Sequence, residues 1–146
     1  MPDDKFPSSR DRTAQQPEDC GRILIAALEA GDLDACVALY EADAVLLKKS
    51  GEPMTGHDAI RQANAALIAL RPRFHVAFIR TTTSGDGTLA MTRMKAEFDG
   101  VRGDSTPLRE HIHTLEVVRR QADGSWRYVI DDPYGSMRED MRERQG

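Results

Sequence analysis

The hydrophobic period of this chain changes once, near Pro72, and that change limits the fold more than any other feature. Before it, apolar residues recur at helical spacing: Ile23, Leu24, Ala27 and Leu28, then Leu33, Val37 and Tyr40, then Ile60, Ala63, Leu67 and Leu70. After it the period is two. Ala90, Thr92, Met94, Ala96 and Phe98 lie on one face of a strand, and Arg93, Lys95 and Glu97 on the other. Helices placed ahead of strands define an α+β domain whose helices pack on one sheet face.

Punctuation sets the boundaries. Pro17 suits a first helical turn, Gly31 stops that helix, and Asp32 caps the next. A short strand at 44–47 and a return arm at 53–55 flank a turn through Ser50 and Gly51. A third helix over 56–70 ends at Pro72. Strands follow at 75–83, 89–98, 108–119 and 126–132. Residues 1–16 are polar and form a loose arm, 17–134 form the domain, and 135–146 form a charged tail, either a solvated helical turn or a disordered end.

With 146 residues, 40% hydrophobic content and a net charge of −4, the chain suits one domain with a core and offers no basic stripe for nucleic acid. Its longest apolar run, 23–28, is far below the ~20 residues of a membrane span. A polar N-terminus without an apolar signal core points to the cytoplasm. Cys20 and Cys36 have no His partners at zinc spacing and read as half-buried thiols.

The last two strands lack a polar face. Ile112, Thr114 and Val118 lie opposite His113, Leu115 and Val117. Val129 lies opposite Trp126, Tyr128 and Ile130. Helices cover one face only, so the other needs a cover. A second copy docking sheet on sheet through His113, Leu115, Val117, Trp126 and Tyr128 is the preferred expectation; the N-terminal arm or the tail is the alternative.

Four stretches then suggest a family: Ala27-Leu28-Glu29-Ala30-Gly31-Asp32-Leu33-Asp34, Leu39-Tyr40-Glu41-Ala42-Asp43-Ala44-Val45, Gly56-His57-Asp58-Ala59-Ile60-Arg61 and Asp123-Gly124-Ser125-Trp126-Arg127. In order and spacing the chain resembles the nuclear transport factor 2-like superfamily, which includes SnoaL-like cyclases and ketosteroid isomerases. The resemblance implies a cystatin-like cone: three N-terminal helices packed on a strongly curved, mostly antiparallel sheet. It also implies a pocket at the open end and, usually, a homodimer. Fold alone does not give function.

Ketosteroid isomerase chemistry needs a carboxylate base, an oxyanion-binding tyrosine and a protonated aspartic acid. On the resemblance, the base position holds Lys48, the tyrosine position Leu24, and a supporting tyrosine position Asn64. Tyr40 matches a second-helix tyrosine, and Glu116 falls at the oxyanion acid. Steroid isomerase activity is therefore not expected. The resemblance also sets strand parity. It turns Ile112, Thr114 and Glu116 into the pocket beside Thr92 and Met94, and turns Arg127, Val129 and Asp131 inward on the last strand.

Glu116 and Asp131 are thus the candidate acid–base groups. Glu116 is expected to lose water and hold its proton unless Arg127 or Lys48 pairs with it. Of Asp131 and Asp132, one serves the pocket and the other the backbone at the strand end. The ligand-binding candidates are Tyr40, Lys48, Asn64, Thr92, Met94, Ile112, Thr114, Arg127 and Val129. His111 and His113 have no third ligand at clear spacing, so no metal site is expected, and no motif asks for a cofactor. Three functions stay open: binding a small, largely apolar molecule, cofactor-independent acid–base catalysis, and pure assembly.

Overall fold

The computed structural model describes residues 13–142. Helix α1, Asp19–Ala30, ends where Gly31 takes φ 72° and the turn closes by bonds to the Ala27 and Leu28 carbonyls. Asp32 then accepts the Ala35 amide and starts α2, Leu33–Ala38. Tyr40, grouped above with that helix face, instead opens β1, Tyr40–Leu47, because the chain leaves the helix at Leu39. Strand β2, Pro53–Thr55, folds back on β1, and α3 runs His57–Ala69.

Beyond Pro72 lie β3 (Arg73–Thr83), β4 (Leu89–Val101), β5 (Pro107–His113), β6 (Leu115–Arg120) and β7 (Trp126–Asp132). The sheet order is β2-β1-β7-β6-β4-β3, with β5 also on β4. Among the described residues only the β1–β7 pairing is parallel, so the sheet is mixed and mostly antiparallel, with three α-helices. The long strand expected at 108–119 is β5 and β6 in one unbroken register against β4, pausing at Thr114. Three register shifts, at Tyr40/Val45, Val76/Phe78 and Val117/Val118, interrupt the ladders. Each adds bend and twist to its strand, which curves the sheet around the helices.

The core lies between that concave face and the helices. Tyr40, Tyr128, Ile60 and Val118 are fully buried in it, and the Tyr40 and Tyr128 ring centroids are 4.9 Å apart. Cys20 and Cys36, expected half-buried, are fully buried. Among the described residues no helix is long and apolar enough to cross a membrane.

Two expectations on β7 are corrected. Val118 pairs with Tyr128 but Val117 pairs with Ile130, so Val129 is an extra residue that resets the alternation. Trp126, Tyr128 and Asp131 are consequently buried, while Arg127 and Ile130 are exposed. Arg127 does not turn inward, and Trp126 and Tyr128 do not belong to the outer face.

Both chain ends differ in part from the sequence reading. Residues 1–12 lie outside the described residues. Residues 13–16, grouped with the loose arm, are held: Ala14 is buried and its carbonyl accepts the Trp126 amide. In the tail, residues 135–137 and 139–141 form two 3-10 turns. Asp132 accepts the Gly135 amide and a 2.7 Å contact from Arg138, and the Glu139 amide donates to the Lys49 carbonyl. Residues 143–146 lie outside the described residues.

Candidate functional site

A cavity of about 360 Å³ opens between α1, α3 and the concave face of the sheet. Its walls are mainly aliphatic and aromatic. Leu24 and Leu28 come from α1, Ala63 and Leu67 from α3, Met54 from β2, and Phe74 from β3. These residues face inward for the reason the sequence gives, helical spacing on one side and alternation on the other.

Two polar chains interrupt this lining. In the first, the Tyr40 hydroxyl donates to Asp131 Oδ2 at 2.6 Å, and the Asn64 amide hydrogen-bonds Tyr40. In the second, Thr92 Oγ1 donates to Glu116 Oε2 at 3.0 Å, and Thr114 also bonds Glu116. The two meet because Glu116 and Asp131 are direct partners across β6 and β7, with Thr92 opposite Glu116 on β4. Among the described residues no buried side-chain polar atom lacks a partner.

The electrostatics follow from burial. Loss of water raises the Glu116 carboxyl to about 8; the Asp131 charge adds to this, and the Thr114 and Thr92 hydrogen bonds oppose it. Burial raises Asp131 to about 6, against the Tyr40 hydrogen bond, with Asp132 adding a further push upward. A hydroxyl donating to a carboxylate favours the charged form, so the negative charge settles on Asp131 and the proton stays on Glu116. The arrangement is a hydrogen-bond donor and a base side by side at the floor of an apolar cavity.

The candidates divide as follows. Tyr40, Lys48, Asn64, Met94, Ile112, Thr114, Glu116 and Asp131 line the cavity. Thr92 stands behind Glu116 as its donor. Arg127 and Val129 are not in the lining, because the extra residue on β7 turns Arg127 outward and places Val129 in the irregular step. Leu24, at the position that lacks a donor, also lines the wall. Asp132 serves the strand end, as one of the two alternatives for the Asp pair required. His111 and His113 are exposed, and His111 lies 3.7 Å from Glu97. Among the described residues no group of three or more His, Cys, Asp or Glu is placed to hold a metal ion.

Sequence reasoning missed Tyr128, whose ring closes the wall beside Tyr40, and Tyr134 at the edge of the cavity. An irregular step in β7 leaves no composition signal, so Tyr128 was unreadable. Tyr134, an aromatic directly after a strand and a proline, offered a faint one.

A curled, mostly antiparallel sheet closed on three helices, with polar groups at the base of an apolar cavity, is the cystatin-like fold of NTF2-like proteins. More narrowly, residues 22–129 match the SnoaL-like domain, and the chain belongs to that family. Solved structures agree on the fold. Aln2 from a Streptomyces species is 18% identical over 88% of this chain and 92% of its own, with a TM-score of 0.67. A ketosteroid isomerase-like protein from Erwinia carotovora atroseptica is 17% identical over 79% and 89%, with a TM-score of 0.66. An NTF2-like protein with a cystatin-like fold from Novosphingobium aromaticivorans is 18% identical over 78% and 75%, with a TM-score of 0.63. A search of curated proteins finds no match to this sequence.

Proposed function

We propose that this domain binds a small, largely apolar molecule in the cavity, and that Glu116, as a carboxylic acid, donates a hydrogen bond to the ligand's carbonyl or hydroxyl oxygen. The observation that carries this reading is the setting of Glu116: 7% exposed, held by two threonines, facing an apolar space and, among the described residues, paired with no cation. A buried neutral acid with room in front of it is a donor waiting for an acceptor. A purely assembling domain would fill this space with side chains, and about 360 Å³ is open. A thermal-shift panel of neutral aryl ketones and alcohols tests the reading. Stabilisation by several of them, reduced in Glu116→Gln, is expected; a flat panel removes it.

A second reading is favoured by the direct pairing of Glu116 with Asp131. The pair can run cofactor-independent isomerisation, cyclisation or dehydration, with Glu116 holding a carbonyl oxygen and Asp131 taking a proton. Ketosteroids are not its substrates on this reading, because Lys48 and Leu24 stand at the base and donor positions. An absorbance assay with an unsaturated ketosteroid is expected to show no turnover above buffer.

We further propose that two copies dock through the outer sheet face, centred on Val117 with Met91 and Ile130 as its cross-strand neighbours and Leu115 beside it. Ile130 is 40% exposed, and an apolar centre of this kind gains by burial. The cytoplasm is the location that suits two buried cysteine thiols and a chain of this composition.

A further inference from the structure

The acidic and basic side chains that line the cavity are sorted along its depth. Glu116 and Asp131 lie at the floor, both less than a tenth exposed. Lys48 and Lys49 stand at the rim, where β1 ends, with side chains 46% and 48% exposed. Between them the lining is uncharged. The rim lysines are only loosely matched. Lys48 Nζ is 3.7 Å from Glu52 and Lys49 Nζ is 3.9 Å from Glu110, beyond hydrogen-bond length, and Glu52 is 69% exposed. Either ammonium can therefore turn to another anion at little cost.

This sorting excludes one ligand orientation and favours another. The floor already holds the negative charge of the Asp131–Glu116 pair, so an anionic group placed there meets repulsion in a dry site. At the rim the same group meets two cations and keeps part of its water.

We propose that the ligand is an apolar carboxylic acid that carries a carbonyl or hydroxyl at its far end, seated with that neutral end at Glu116 and its carboxylate between Lys48 and Lys49. The proposal rests on the reading of the cavity as a binding site, and names the ligand class for it. A neutral or cationic ligand would leave the rim lysines without a role in recognition.

Calorimetric titration with three matched probes tests it: an acetylnaphthoic acid, its methyl ester, and the corresponding acetylnaphthylmethylamine. Two exposed ion pairs give an acid-over-ester preference of about five-fold. The ratio is expected to fall toward one in Lys48→Met/Lys49→Met. On the wild-type protein it is also expected to shrink as salt rises from about 50 mM to about 500 mM. Equal binding of acid and ester overturns the ligand class while leaving the cavity reading intact. Tightest binding by the amine overturns it as well, by showing that the floor carboxylate, not the rim, recognises charge. No binding by any probe removes the cavity reading, and this proposal with it.

Discussion

Glu116 keeps a proton at neutral pH because burial strips water from its carboxyl and the nearby Asp131 and Asp132 charges push the same way. Thr92 and Thr114 touch it, Tyr128 lies nearby, and Asp131 and Asp132 supply the charges it feels. Arg127, the cation best placed to reverse this, faces solvent on the other side of β7. The consequence for stability has a definite sign. The folded carboxyl titrates at about 8 and the unfolded one near 4.5, so between those values the native state binds the extra proton. Stability therefore falls as pH rises through that window, and Asp131, raised from 3.8 to about 6, adds to the fall at its acid end. Urea denaturation at pH 5 and pH 9 is expected to show a loss on the order of a few kcal/mol in the wild type, and a clearly smaller loss in Glu116→Gln. Parallel losses in both would mean that Glu116 is ionised throughout. Tyr40→Phe makes a separate case. It removes the 2.6 Å donor of a fully buried carboxyl, so it should cost about 1.5–3 kcal/mol and push the Asp131 titration further up. A carboxylate NMR titration in which Asp131 does not move would count against the Tyr40–Asp131 bond.

The elements were legible where one residue pattern dictated one answer, and opaque where a backbone irregularity intervened. The alternation of β4 was read correctly from Ala90 to Phe98, with Ala90, Thr92, Ala96 and Phe98 buried and Arg93 and Lys95 exposed. Glu116 was legible for the same reason, one strand over. On β7 the same rule fails at Val129, since a single extra residue exchanges the two faces without changing composition. Tyr40 was misplaced because a strand that starts one residue after a helix cap continues the helical spacing by coincidence. The sequence leaves the C-terminal segment open between a solvated helical turn and a disordered end; it forms 3-10 turns, and the choice could not be read because its order comes from tertiary bonds, above all Asp132 to Arg138. Gly135 permits that segment. It sits at φ 51°, and a Cβ there would lie 2.5 Å from the His113 carbonyl oxygen. Gly135→Ala should therefore lift the segment from the sheet and expose Arg138 to trypsin. Cleavage after Arg138 is expected to speed up about ten-fold relative to wild type. Cleavage at the wild-type rate would show that the segment is not held by this contact.

At the scale of the whole molecule, the unresolved requirement is the outer face of the sheet. Once Trp126 and Tyr128 move to the core, its apolar part includes Leu89, Met91, Leu115, Val117 and Ile130, with Met91 and Ile130 opposite Val117 on the neighbouring strands. Around it lie the exposed cations Arg93, Lys95, Arg119 and Arg127; among the described residues Arg119 pairs with Glu41 at 3.0 Å and Arg127 lies in the field of Asp123. In the proposed dimer, two-fold docking would bring each patch onto its copy, burying the apolar centre and also bringing cationic rims toward each other. The two effects respond to salt in opposite ways. Burial of Val117 and Ile130 is little affected by ionic strength, whereas repulsion between exposed charges is screened within about 8 Å at physiological salt. Dimerisation is therefore expected to tighten as salt rises, the reverse of an interface held by surface ion pairs. Val117→Arg places a further cation at the centre of the contact and should give a monomer at every salt concentration. Light scattering at micromolar protein across a salt series checks both expectations. A wild-type monomer at high salt, or a dimer unchanged by Val117→Arg, would mean that this face is not where the copies meet.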